Sequence, residues 1–80
     1  MATVLFFAQA ASQIGLRELP WELHAPADEE AFWLWLQSLD PRAAQLRPFC
    51  RLARNGTYLR PGELLLPTDE IALIPPVSGG

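Results

Sequence analysis

The two most apolar strand-like stretches of this sequence lie at its opposite ends. Thr3-Val4-Leu5-Phe6-Phe7-Ala8 is a β-branched and aromatic run, and Ile71-Ala72-Leu73-Ile74 is another. Both read as strands. Their apolarity predicts that they sit side by side at the centre of one sheet, in parallel. A parallel pair needs a crossover, and a helix supplies it. The middle of the chain offers that helix. Pro26-Ala27-Asp28 opens it, with Asp28 placed to cap the first free N–H groups and Glu29 and Glu30 suited to the positive end of the dipole. Phe32, Trp35, Leu36 and Leu39 then follow the i, i+3, i+4, i+7 template, predicting one apolar stripe and a helix over Asp28–Leu39. Trp33 and Leu34 fall off that stripe and either flank the core or mark a partner surface. Asp40-Pro41 ends the helix, because proline disfavours α conformation in the residue before it.

Shorter elements fill the rest. Gln9 to Ile14 reads as a helical turn ended by Gly15, and Leu19 to Leu23, which contains Pro20, as a short edge strand at best. Ala43 to Leu46 suits one more helical turn. Phe49 to Ala53 reads as a strand, Asn55-Gly56 as a hairpin turn and Thr57-Tyr58-Leu59 as the returning strand. Arg60-Pro61-Gly62-Glu63 and Pro67-Thr68-Asp69-Glu70 are turns around the apolar stretch Leu64-Leu65-Leu66. This order predicts an α+β fold, a mixed sheet with one main helix packed on one face.

Eighty residues make one domain, spanning 1–80. Six arginines, with no lysine, stand against nine acidic residues, a net charge of −3. Phosphate neutralisation needs a concentrated basic surface, so nucleic-acid binding is not expected. No apolar run reaches the ~18 residues that span a bilayer, and the N-terminus lacks the basic flank of a signal peptide. A cytoplasmic protein without a membrane association is the expectation. Cys50 reads as a small buried hydrophobe and His24 as a bystander in a loop or edge. One His, one Cys and one Tyr leave no metal cluster and no nucleophile–base set. Any chemistry here is expected to run through something other than a side-chain constellation.

The two ends carry a resemblance. Val4-Leu5-Phe6-Phe7-Ala8-Gln9 at one and Asp69-Glu70-Ile71-Ala72-Leu73-Ile74-Pro75-Pro76-Val77-Ser78-Gly79-Gly80 at the other resemble the ubiquitin-like sulfur-carrier family, in the form of its molybdopterin synthase small subunits. The resemblance covers the whole chain, with Asn55-Gly56 where the family has its hairpin. Pro67-Thr68 replaces a usual Asp-Gly pair, and Ala11 stands where an arginine is often found. The implied fold is β-grasp, with a flexible C-terminal tail over residues 75–80.

The implied function is sulfur carriage in molybdenum cofactor biosynthesis by a subunit that is not itself an enzyme. The C-terminal carboxyl of Gly80 is adenylated, converted to a thiocarboxylate, and donates sulfur to a pterin precursor held on the large subunit. A carboxylate is a poor electrophile because attack places a nucleophile on an anionic centre, and adenylation supplies the leaving group. Gly79 and Gly80, without Cβ atoms, suit a narrow channel and close approach to the carbonyl. Pro75 and Pro76 favour an extended exit, and with Val77 and Ser78 they are expected to touch the partner. Strand alternation puts Phe7 opposite Val4 and Phe6, and the resemblance carries the partner surface to Phe7, Tyr58 and Ile74. The implied partners are the large subunit of molybdopterin synthase, an ATP-dependent E1-like activating enzyme and a sulfur donor. No cofactor is expected on the chain itself, ATP being used by the activating enzyme. Two alternatives are a sulfur carrier for another pathway (thiazole or tungsten cofactor) and a ubiquitin-like protein modifier. A third is a binding domain with an inert tail.

Overall fold

The computed structural model describes residues 1–76. Its elements run β1 (Ala2–Phe6), α1 (Ala8–Ile14), β2 (Glu18–Trp21), α2 (Glu29–Leu39), α3 (Ala43–Leu46), β3 (Arg51–Arg54), β4 (Thr57–Tyr58) and β5 (Glu70–Ile74). The strands form one sheet in the order β2-β1-β5-β3-β4. β1 and β5 are adjacent and parallel, with Val4 opposite Ile71 and Phe6 opposite Leu73. The remaining pairs are antiparallel, so the sheet is mixed, as the apolar chain ends predict. β2, with Pro20, lies at one edge, where a missing N–H costs no ladder bond.

The core lies between α2 and one face of the sheet. Val4, Phe6, Leu52, Ile71 and Leu73 are buried from the sheet side, and Phe32, Trp33 and Leu36 from the helix. Asp28 caps α2 as expected, its Oδ1 accepting the Ala31 N–H at 2.8 Å. The buried stripe is rotated from the expected one. Trp33 is fully buried, whereas Leu39 is 57% exposed and Trp35 only partly covered. Phe32, Leu36 and Trp33 span about 100° of helix circumference, enough for one inward face. The indole N–H of Trp33 is satisfied within the helix, donating to Glu29 Oε2 at 3.0 Å. Leu39 is the last helical residue, and the buried part of α2 ends a turn earlier at Leu36. Trp21 from β2 closes the cluster, stacked on Trp35 at 4.9 Å and edge-on to Phe32 at 5.7 Å.

Every strand differs from the sequence reading by one or two residues at an end, β2 running over Glu18–Trp21 rather than Leu19–Leu23, and two of the shifts have a local cause. β1 stops at Phe6, because Ala8 takes a left-handed φ of +49° and turns the chain into α1 within one residue. β3 begins at Arg51 rather than Phe49, since the N–H groups of Phe49 and Cys50 still bond back to Leu46 O at 3.0 Å. Gly15 ends α1 in the left-handed region at φ +84°, and Asn55 and Gly56 turn the β3–β4 hairpin at φ +50° and +87°. Of Leu64-Leu65-Leu66 only Leu65 is buried, bridging to Ala27.

Candidate functional site

Among the described residues no helix lies over the face of the sheet away from α2, and that face carries most of the expected partner residues. Along β5 the burial alternates: Ile71 and Leu73 point into the core, Ala72 and Ile74 to the open side. The register aligns Leu5 of β1 with Ala72, Ala72 with Ala53 of β3, and Ala53 with Tyr58 of β4. One row of the open face therefore reads Leu5-Ala72-Ala53-Tyr58. The two alanines make its floor low. Leu5, Phe7, Tyr58 and Ile74 rise around them, enclosing a shallow depression of about 330 Å³.

Phe7 sits at the rim by a double tether. Its N–H donates to Leu73 O at 3.3 Å, continuing the β1–β5 ladder, and its carbonyl accepts the Ala10 N–H at 3.0 Å at the start of α1. The ring itself stays free, with the residue 47% exposed. Tyr58, 45% exposed, has the Arg51 guanidinium over its ring, 3.9 Å from the centroid. Arg51 pairs in register with Ile74. It belongs to the open face, and the sequence reading passed over it. The signal was present only in part: the Asn55-Gly56 turn fixes Ala53 opposite Tyr58, but nothing local sets β3 against β5.

The tail leaves from the central strand. Pro75 is buried, so it anchors the exit and offers a partner little surface, in contrast to its expected contact role; Pro76 is exposed. Gln9, Leu46 and Cys50 line a depression beside the two prolines. Val77, Ser78, Gly79 and Gly80 lie outside the described residues. Ala11, at the position where the family often has arginine, lines a larger hollow of about 660 Å³ between α1 and β2 that shares Leu5 and Phe7 with the open face.

Two other singled-out residues sit away from this chemistry. Cys50 is buried, and burial pushes its thiol pKa up, which keeps it protonated and unreactive. His24 is exposed in the segment before α2. Among the described residues no group of three or more His, Cys, Asp or Glu could hold a metal ion.

A mixed sheet with parallel terminal strands, a helix across one face and an exit from the central strand defines a β-grasp, ubiquitin-like domain. The ThiS family profile matches residues 4–80, and the chain belongs to that family. It is 35% identical over 79 residues to a molybdopterin synthase sulfur carrier subunit of Chlamydomonas reinhardtii, covering 96% of this chain and 95% of that one. It is 37% identical over 82 residues to the Homo sapiens protein of the same name, covering 96% and 91%. Among solved structures, SAMP1 of Haloferax volcanii superposes with a TM-score of 0.79 at 30% identity, over 99% of this chain and 98% of the other. A second structure, of the H. volcanii small archaeal modifier protein 1, gives 0.77 at 26% identity, over 95% and 97%.

Proposed function

We propose that this chain, as one carrier domain over residues 1–80, is the sulfur carrier subunit of a molybdopterin synthase. The observation that carries the reading is the match, along nearly its whole length, to curated subunits of that name in an alga and an animal. An E1-like enzyme uses ATP to adenylate the Gly80 carboxyl, releasing pyrophosphate. A sulfur nucleophile then attacks the acyl carbon and AMP leaves, so that a thiocarboxylate replaces the carboxylate. On the large subunit the sulfur passes to the pterin precursor, and water restores the carboxylate. The chain binds no cofactor in this scheme. Its working atoms are main-chain atoms of Gly80, and the catalytic pocket is the large subunit's. The cytoplasm is the site of action; among the described residues, no helix is long and apolar enough to cross a membrane.

The remaining residues serve delivery. Phe7, Tyr58 and Ile74 present the docking face. Pro75 fixes where the tail starts, and Pro76, Val77 and Ser78 lead Gly79 and Gly80 into the partner. Near-attack geometry is sensitive to shifts of about 1 Å. Deleting Gly80 draws the terminal carbon back by about 3.4 Å and should reduce sulfur transfer by orders of magnitude. The assay is single-turnover conversion of the pterin precursor by preformed thiocarboxylate carrier and large subunit. Full activity after the deletion would move the chemistry off Gly80 and end the carrier reading. The likeness to small archaeal modifier protein 1 keeps a second reading in play, attachment to other proteins. Isopeptide adducts on target lysines, with no oxygen-to-sulfur exchange in the intact mass, would select it.

A further inference from the structure

The rim of the open face nearest the tail exit carries a cation. Arg51 and Ile74 are cross-strand partners, and Ile74 is the last residue of the strand that runs into the tail. Arg51 is exposed, and its guanidinium lies over the Tyr58 ring at 3.9 Å. Three other arginines are neutralised within the fold, Arg42 by Asp40 at 2.7 Å, Arg47 by Glu30 at 2.6 Å and Arg54 by Asp69 at 3.3 Å. Arg51 makes no such ion pair among the described residues. A guanidinium held over an aromatic ring and without an ion-pair partner still has N–H groups to offer a carboxylate.

This geometry becomes a constraint on docking. A partner that covers Phe7, Tyr58 and Ile74 also covers Arg51, because Tyr58 and Ile74 flank it. Withdrawing a charge from water without a counter-charge is strongly unfavourable. We propose that Arg51 is a specificity-determining residue of the docking face, and that the large subunit places a carboxylate against it at the tail-side rim. The apolar floor of Ala53 and Ala72 takes the partner's apolar contact, and the Arg51–carboxylate pair fixes its register relative to the tail. A partner with an apolar patch but no anion at that point is rejected. The inference rests on the carrier reading, since that reading supplies the partner.

The test measures affinity of the full 80-residue carrier for the large subunit of its own host at about 50 and about 500 mM salt, with melting curves on every variant. Arg51→Met keeps the apolar stem and removes the charge. It should weaken binding at least about tenfold at low salt and flatten the salt dependence. Arg51→Glu should weaken it further, and Arg51→Lys, which keeps the charge without the fork, should recover part of the loss. Native-like affinity in Arg51→Met, or a loss whose salt dependence matches the native chain's, overturns the proposal. Failure of the native chain to bind the large subunit at all overturns the carrier reading instead, and this inference falls with it.

Discussion

Asn55 and Asp69, fourteen residues apart, are joined side chain to side chain, Asn55 Nδ2 donating to Asp69 Oδ1 at 2.8 Å. The other oxygen of Asp69 accepts the Leu66 N–H at 2.8 Å and faces Arg54 Nε at 3.3 Å. Asn55 Oδ1 in turn accepts the Glu70 N–H at 2.9 Å. The tip of the β3–β4 hairpin is thereby fastened to the start of the central strand. Asp69, 4% exposed, is the one buried charged residue among those described.

Asn55→Gly separates the two roles of Asn55. Glycine keeps the left-handed turn but removes both side-chain bonds, leaving a buried carboxylate short of a donor. Stability should fall by about 1–3 kcal/mol, read from denaturant unfolding. A residue that served only the turn would be replaced by glycine at no cost.

The rotation of α2 gives a pair of opposite outcomes. Trp33→Ala should destabilise by about 3–5 kcal/mol, because it empties a fully buried site. Leu39→Ala, at a position 57% exposed, should change stability by less than about 0.5 kcal/mol. The stripe read from sequence spacing requires the reverse order, so equilibrium unfolding of the two variants decides between them.

Phe7→Ala tests the docking face. Its half-exposed ring contributes little to the core, so the melting temperature should hold within a few degrees. Affinity for the large subunit should drop by about 2 kcal/mol or more if the ring is an anchor. Collapse of the melting curve with unchanged affinity per folded molecule would make Phe7 a core residue.

Cys50 has a pH signature. Burial raises its pKa in the folded chain, whereas the unfolded thiol ionises near pH 8.5. Its contribution to stability is therefore complete below about pH 8.5 and is lost as the pH climbs from there through the folded pKa. Cys50→Ala should flatten that alkaline decline. A thiol-reactive disulfide reagent at neutral pH should label the native protein much more slowly than the unfolded chain.

The parallel pairing of the two ends was legible because β1 and β5 are the two most apolar strands, and the central strand must be covered by neighbours. The cap at Asp28, the turn at Asn55-Gly56 and the edge position of β2 were legible for equally local reasons: a side-chain acceptor, two residues tolerant of positive φ, and a proline. The face of α2 was not. Phe32-Trp35-Leu36-Leu39 and Phe32-Trp33-Leu36 are both valid helical stripes, and the choice depends on the sheet beneath and on Glu29 reaching the Trp33 indole. The open face was half legible. Alternation places Phe7 on it and the hairpin brings Tyr58 near, although their proposed docking role comes only from the family resemblance, whereas Arg51 depends on the long-range register of β3 on β5. The burial of Pro75 and the Asn55–Asp69 bond also join parts distant in the chain, and no local pattern announces either.

The strand that ends in the tail is bonded along both sides, in parallel to β1 and antiparallel to β3. Tension applied at Pro76 therefore runs along β5, across the direction of its hydrogen bonds. The bonds of both ladders are loaded together in shear, and none can open first as in a zipper. A pull at Pro76 is therefore resisted by both ladders at once while the domain stays folded. The fold acts as a mechanical clamp on the end it presents.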